Sequence, residues 1–241
     1  MDKQETTHVE ITAGDVDQTG TVSPRRMIQL LVLAGMERNR LEGGGKGPLR
    51  ERFGAAWMFR RILMRQELPV RVGDQLTGFG YSRTMLDNEI LIRGEFRREG
   101  ALVAQCDLAM VPVNLAQRQK LKPAEVECLY RTTAANELDV FPRLGMVADF
   151  PYEHEKNITV QDCDENANHF ASHNYADLVC RETGYWDGPY RMVRQMQIDY
   201  VKECMPGEHI SLGAVERDGA YTVQGIHDNG KPCFNAFCVY E

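Results

Sequence analysis

Apolar and polar positions follow the same succession of patterns twice along the chain. Residues 27–36, MIQLLVLAGM, are apolar on every side, which predicts a buried helix. Residues 57–79 have the composition of a long strand that ends in a glycine turn, and residues 98–113 contain a glycine hairpin turn that leads into an apolar strand. The pattern predicts an α+β unit with one helix and several antiparallel strands.

The second half of the chain repeats this order. An acidic loop leads into the helix in each half, DVDQTGTV in the first and DCDENANHF in the second. The strand and turn of residues 57–79 align with residues 190–213 at an offset of 134. Between the halves, the chain has prolines and short helical patches but no strand periodicity. We therefore predict an N-terminal unit at residues 1–117, a linker at 118–153 and a C-terminal unit at 154–241.

Composition narrows the class of protein without indicating a function. The chain has 241 residues, of which 43% are hydrophobic and 26% are charged, as in an ordinary globular protein. The sequence contains no run of eighteen apolar residues and no signal-peptide core, which predicts a cytoplasmic protein without membrane insertion. Its seven cysteines are widely spread and include no CxxC pair, which indicates reduced thiols and argues against a disulfide framework or a zinc cluster.

Charge is distributed unevenly along the chain. The net charge of −7 is the sum of +1 for residues 1–117 and −8 for residues 118–241, and the first half contains arginine pairs such as Arg25-Arg26 and Arg60-Arg61. These pairs are typical of an ordinary solvated surface, and they would also suit an acidic partner. Nucleic acid is not an expected partner, because the sequence has no basic stripe with interleaved aromatic residues.

The order of acidic loop, buried helix, long strand and glycine hairpin resembles the hotdog fold, and its duplication resembles a double hotdog. Along nearly its whole length the chain is similar to the plant and bacterial acyl-acyl carrier protein (acyl-ACP) thioesterases. The second unit of that family carries a D-x-D-x-N-x-H loop and later an E-Y-x-x-E-C strand end. Here residues 162–169 are DCDENANH and residues 199–204 are DYVKEC. The loop has one residue more than the family pattern before its histidine, and Ala171-Ser172 replace an asparagine pair.

This resemblance implies hydrolysis of acyl-ACP thioesters to free fatty acids in fatty acid biosynthesis, with acyl carrier protein as partner and with no cofactor or metal. It also implies that Glu203 is the general base for water. His169 is placed to bind the substrate carbonyl or a water, with Asn166 or Asp164 orienting its ring. Backbone N–H groups of the first helical turn would stabilise the oxyanion. Cys204 is the competing nucleophile, since a thiol beside a histidine also supports acyl transfer.

Some of these residues also have simpler structural explanations. His169 and His173 are four residues apart and would suit a helix start, and zinc is disfavoured there because no third ligand lies at a convincing spacing. Asp15 and Asp17, the counterparts of the second acidic loop, are expected to shape a turn or cap the helix. Thr21 stands where the first unit would need a histidine, so we predict that this unit is catalytically empty.

The predicted acyl pocket lies between the first helix and the sheet. Stripes of methionine and aromatic residues suit an acyl chain, although they more often form plain core. The predicted lining residues are Met27, Leu31, Trp57, Phe59 and Met64.

Other functions compatible with the sequence are an enoyl-thioester hydratase or dehydratase, an acyl-CoA thioesterase and a non-catalytic acyl-thioester sensor. The hydratase alternative rests on the likeness of residues 164–169 to a D-x-N-P-x-H dyad, with alanine in place of the proline. The sensor would need an additional readout segment. Assembly as a homodimer is a further open alternative.

Overall fold

The computed structural model describes residues 3–43, 46–81, 84–86, 89–126, 142–145, 150, 156–159, 171–205 and 207–241. The helices in these ranges are α1 (Pro24–Leu41), α2 (Lys46–Phe53), α3 (Pro123–Val126) and α4 (Tyr175–Glu182). The strands are β1 (Lys3–Glu10), β2 (Ala55–Gln66), β3 (Gln75–Tyr81), β4 (Thr84–Leu86), β5 (Glu89–Arg98), β6 (Ala101–Asn114), β7 (Gln119–Lys120), β8 (Lys156–Thr159), β9 (Val193–Tyr200), β10 (His209–Arg217), β11 (Ala220–His227) and β12 (Pro232–Tyr240). None of these helices has the length and hydropathy needed to cross a bilayer.

Helix α1 begins where local sequence favours it. Ser23 precedes it in extended backbone and accepts a hydrogen bond from the Arg26 amide at 3.2 Å. Pro24 follows in the first turn, where an N–H has no partner within the helix. The predicted burial is confirmed for the face that includes Met27 and Leu31, but it is wrong for Leu33, which is 56% exposed. The helix packs against the sheet on one side only, so an apolar residue on the other side meets solvent.

The strands of these ranges form one antiparallel sheet in the order β1-β3-β5-β6-β2-β9-β12-β11-β10-β8, with β4 added to β5 and β7 to β6. The first five strands of that order are mirrored by the last five, since β8 corresponds to β1, β10 to β3, β11 to β5, β12 to β6 and β9 to β2. The predicted duplication of one α+β unit is therefore confirmed. Strands β2 and β9 join the two halves, with Arg61–Arg65 lying opposite Gln195–Asp199.

Glycine turns mark equivalent points of the two units. Gly73 has φ 89° and Gly207 has φ 83°, a backbone region that glycine adopts without steric cost. The strands that follow begin at Gln75 and His209, which differ by the predicted offset of 134. The domain boundaries themselves stay a prediction.

Helix α1 lies directly on the backbone of β3 and β5 because these strands have glycines below it. A Cβ atom on Gly94 would lie 2.1 Å from the Leu31 carbonyl oxygen, and one on Gly80 would lie 2.4 Å from Arg38 Cβ. Such distances are far inside van der Waals contact. The separation of helix and sheet in the N-terminal unit thus depends on residues without side chains.

The opposite face of the central strands carries buried polar groups that contact residues 142–145. The guanidinium of Arg143 lies 2.7 Å from the carboxylate of Glu89, and the Leu144 amide donates to Asp199 Oδ2 at 2.9 Å. Both carboxylates are buried. This part of the predicted linker therefore contacts strands of both units.

Three of the four arginines in the pairs noted in the sequence, Arg25, Arg26 and Arg61, form ion pairs. Arg61 is buried and pairs with Glu89, so the view of it as a solvated surface residue is wrong. Its position on β2, between two neighbouring strands, is the physical reason. Arg25 lies 3.3 Å from Asp177 of α4, and this contact links the helices of the two units.

Candidate functional site

The predicted catalytic residues fall into two groups. Asp164, Asn166 and His169 lie outside the described residues, so their roles stay predictions. Glu203 and Cys204 are described, and they follow the end of β9. The two lie side by side, but Glu203 is exposed whereas Cys204 has no exposed surface. The opposite orientation that strand alternation predicts for neighbouring residues agrees with these exposures.

The end of β9 is attached to the start of helix α4. The Tyr200 hydroxyl donates a hydrogen bond to the Ser172 carbonyl at 2.7 Å, and the Cys204 amide donates to the Tyr175 hydroxyl at 3.3 Å. The Tyr175 ring also packs edge-on against Phe234, with 5.1 Å between ring centroids. These contacts hold the Glu203-Cys204 strand end beside the first turn of α4, which is the helix that follows the acidic loop in the sequence.

A cluster of two thiols and an imidazole surrounds the strand end. One ligand atom each of Cys204, Cys233 and His227 lies within 4.8 Å of the others, and all three residues are buried. A hydrogen bond from Cys233 lowers the pKa of Cys204, and the same bond raises the pKa of Cys233. Burial also raises the Cys233 value. The first proton is therefore lost from Cys204, because Cys233 can donate its own proton to the resulting thiolate.

His227 is held in a neutral, buried position. Burial lowers its pKa below the usual value, although the nearby Glu208 acts in the opposite direction. Its Nδ1 lies 3.4 Å from Glu208 Oε2, and its Nε2 is buried without a hydrogen-bond partner among the described residues. A neutral ring that donates from Nδ1 keeps a free lone pair on Nε2.

Sequence reasoning missed His227 and Cys233 as members of this cluster. They flank the tight turn between β11 and β12, where the His227 amide donates to the Lys231 carbonyl at 2.9 Å. The sequence therefore contained a signal that the side chains of His227 and Cys233 lie close together, because the two residues stand on either side of a short hairpin turn. Their closeness to Cys204 has no counterpart in local sequence, because it arises from the pairing of β9 with β12.

The five residues predicted to line an acyl pocket belong to the core on the helix side of the sheet. Met27, Leu31 and Met64 are fully buried, and Trp57 and Phe59 are partly buried against the same core. A β-bulge between Phe59 and Arg61 shifts the alternation of β2. Without it, Met64 would face away from Trp57 and Phe59. The contact of these side chains with an acyl chain stays a prediction.

The acidic loop of the first unit forms a turn. Asp17 Oδ1 accepts a hydrogen bond from the Thr19 amide at 2.8 Å, and Asp15 Oδ2 accepts one from the Thr12 amide at 2.8 Å. Thr21 is buried, and its hydroxyl lies 2.7 Å from that of Thr19. The predicted turn-shaping role of the two aspartates is confirmed. The catalytic emptiness of this unit stays a prediction.

Solved structures with the same architecture exist. An acyl-ACP thioesterase from Bacteroides thetaiotaomicron has a TM-score of 0.80 and 14% identity, with 98% of this chain and 96% of that chain covered. A 12:0-ACP thioesterase from Umbellularia californica has a TM-score of 0.79 and 14% identity, with 99% and 96% covered. This chain is a double hotdog. No protein-family model matches it, and no curated protein matches its sequence.

The chain is also similar to solved proteins with other names. A MaoC-like dehydratase from Phytophthora capsici has a TM-score of 0.51 and 13% identity, with 77% of this chain and 72% of that chain covered. At such low identities the likeness establishes the double-hotdog fold, and the activity has to be argued from residues.

Proposed function

We propose that this double hotdog hydrolyses acyl-ACP thioesters and releases free fatty acids. The observation that carries the proposal is the attachment of the Glu203-Cys204 strand end to the start of α4 through Tyr200 and Tyr175. The DCDENANH loop precedes α4 in the sequence, so we infer that both motifs of the family resemblance belong to one site. Full-length likeness to two solved acyl-ACP thioesterases supports the proposal.

The exposures favour water over a thiol as the attacking group. Glu203 is exposed and can accept a proton from a solvent water, whereas Cys204 is buried and already hydrogen-bonded to Cys233. In the proposed reaction, water attacks the thioester carbonyl, Glu203 takes its proton, and His169 stabilises the substrate oxygen. The C–S bond breaks, the proton held by Glu203 passes to the departing sulfur, and the carrier leaves as its thiol. This route uses no cofactor.

The acyl chain is assigned to the core between α1 and β2. Met27, Leu31 and Met64 contribute apolar surface there, with Trp57 and Phe59 at its less buried part. Acyl carrier protein, rather than coenzyme A, is the proposed carrier, and the proposed location is the cytoplasm. The carrier follows from the family resemblance, and the location is supported by the widely spread cysteines, which indicate reduced thiols.

The test is incubation of the purified protein with saturated acyl-ACP, acyl-CoA and enoyl-ACP, followed by mass spectrometry of the products. Release of free acid from saturated acyl-ACP, faster than from acyl-CoA, is the expected result. Hydration of enoyl-ACP without release of acid would instead establish the dehydratase alternative. We test this alternative because the fold is also similar to that of a MaoC-like dehydratase.

A variant pair tests the role of the strand end. Glu203→Gln should lower kcat about 100-fold or more, the usual contribution of a general base. Glu216→Gln removes another exposed carboxylate of the C-terminal unit and should keep wild-type turnover. A rapid acid quench should find no acyl group on Cys204. An acyl-Cys204 that forms as fast as turnover would make the thiol the nucleophile and rule out the water mechanism.

A further inference from the structure

Three segments of the C-terminal unit bring soft metal ligands together below the strand end. Cys204 follows β9, His227 ends β11, and Cys233 lies at the start of β12. Their ligand atoms lie within 4.8 Å of one another, and the three residues are 0%, 5% and 0% exposed. Thiolates and imidazole are the side chains that zinc prefers.

The spacing of these atoms is close to that of a zinc site. A tetrahedral zinc ion with bonds of about 2.3 Å to sulfur and about 2.0–2.1 Å to nitrogen separates its ligand atoms by roughly 3.5–3.8 Å. The observed spread of up to 4.8 Å needs a contraction of about an ångström or less. Because β11 and β12 are paired strands, the His227 and Cys233 backbones are already held in place.

An unsatisfied nitrogen points independently to a ligand. His227 Nε2 is buried and has no hydrogen-bond partner among the described residues. Buried polar atoms in proteins usually have a partner, so an orphan of this kind requires an explanation. Metal-bound histidines commonly donate their other ring N–H to a carboxylate, and Glu208 Oε2 lies 3.4 Å from His227 Nδ1. Glu208 is itself held in place, because it accepts a hydrogen bond from the Met205 amide at 2.9 Å.

We propose that Cys204, Cys233 and His227 bind one zinc ion, with Glu208 orienting the histidine. Binding releases the two thiol protons, and both sulfurs become zinc thiolates. Three protein ligands leave a fourth position for water, an arrangement typical of zinc sites that interact with small molecules rather than closed structural ones. This site is separate from the His169–His173 spacing, for which zinc is disfavoured, and it goes beyond the proposed hydrolysis, which needs no metal.

Cobalt(II) is the probe, because it occupies tetrahedral zinc sites and absorbs visible light. The protein is first reduced under argon, and its seven thiols are counted in denaturant. Titration of the folded protein should then saturate at one Co²⁺ per chain, with a thiolate-to-metal band in the near ultraviolet and tetrahedral bands in the visible. Addition of one equivalent of Zn²⁺ should abolish both signals.

Variants assign the ligands. Cys233→Ser removes one of the two sulfur ligands and should therefore remove about half of the thiolate band or more. His227→Gln should weaken Co²⁺ binding. Glu208→Gln keeps an acceptor beside His227 and should weaken binding about 10–100-fold. The matched control is Cys238→Ser, which alters a second buried cysteine of β12 outside the cluster and should leave the titration unchanged.

The proposal fails if reduced wild-type protein shows no thiolate band at one equivalent of Co²⁺, or if Cys233→Ser retains the full band. Should a ligand variant not fold, X-ray absorption of zinc-loaded wild-type protein decides the matter, because two sulfur ligands at about 2.3 Å are required. None of these measurements uses a thioester. A negative result would therefore leave the proposed hydrolysis intact, and inactivity toward thioesters would leave the metal site intact.

Discussion

The contact between Gly94 and helix α1 permits a quantitative test of the packing in the N-terminal unit. In Gly94→Ala, the new methyl group would start 2.1 Å from the Leu31 carbonyl oxygen and 2.9 Å from the Gly35 amide nitrogen. Both are backbone atoms of α1, so no side-chain rotation can relieve the overlap. The helix must instead move away from β5 by more than an ångström.

The expected cost follows from the behaviour of overfilled cores. Inserting a methyl group into a well-packed core typically costs about 1–3 kcal/mol, and the rigid backbone at Gly94 places this substitution at the upper end. In a protein of this size, each kcal/mol corresponds to about 2–4 °C in the midpoint of thermal unfolding. Gly94→Ala should thus lower Tm by about 6–12 °C, as measured by circular dichroism and calorimetry.

The control is a glycine with room for a methyl group. A Cβ atom on Gly47 of helix α2 would meet only Glu51 Oε1, at 4.0 Å. Because alanine is the better helix former, Gly47→Ala should stabilise the protein by up to about 1 kcal/mol. A change in Tm of less than about 2 °C for Gly94→Ala would correspond to less than about 1 kcal/mol. That result would refute the close contact of helix and sheet.

Two further predictions concern buried charges of the N-terminal unit. Arg61→Met leaves the buried carboxylate of Glu89 without one of its partners and should lower the free energy of unfolding in urea by about 3 kcal/mol. The double variant Arg61→Met/Glu89→Leu should recover most of that loss. A double variant as unstable as Arg61→Met alone would contradict the ion-pair explanation. Burial acts to raise the pKa of Glu95, but hydrogen bonds such as that from Tyr81 outweigh it and lower the pKa below 4.5. Because the folded-state value is the lower one, the carboxylate stabilises the protein above pH 4.5, and this stabilisation is lost as the pH falls through the folded-state value. Glu95→Gln should therefore be less stable than wild type at pH 7, and the difference should shrink below pH 4.5; a constant difference would contradict the assignment.

Much of the fold could be predicted because its signals are local. The positive φ values of Gly73 and Gly207 follow from residue type, and their spacing was enough to align the two units. The helix cap is also local, because Ser23 accepts its hydrogen bond from the amide of Arg26, three residues further along the chain. Such features need no knowledge of the distant chain.

Other features depend on contacts between distant residues and could not be predicted. The burial of Arg61 results from Glu89 on β5 and from the central position of β2, neither of which the arginine pair indicates. The bulge after Phe59 likewise depends on pairing with β6. Simple alternation would therefore misplace Met64 relative to Trp57.

The candidate site shows the same division. The order of the two motifs along the chain predicted that the Glu203-Cys204 strand end and the second acidic loop belong to one unit. The contacts that hold this strand end to α4 come from Tyr200, which belongs to the DYVKEC motif, and from Tyr175, which does not. The proximity of His227 to Cys204 required the strand order of the folded sheet, since the two residues belong to different segments.

The outer strands of the sheet affect how this protein behaves at high concentration. Strand β1 has exposed charged side chains at Lys3, Glu5 and Glu10, and its pairing with β3 is interrupted by an irregularity between Glu5 and Thr7. At the other end of the strand order, the described part of β8 comprises Lys156–Thr159. Short, charged and irregular edges are poor templates for the addition of strands from another molecule. The β1 edge of this wide sheet thus opposes edge-to-edge polymerisation.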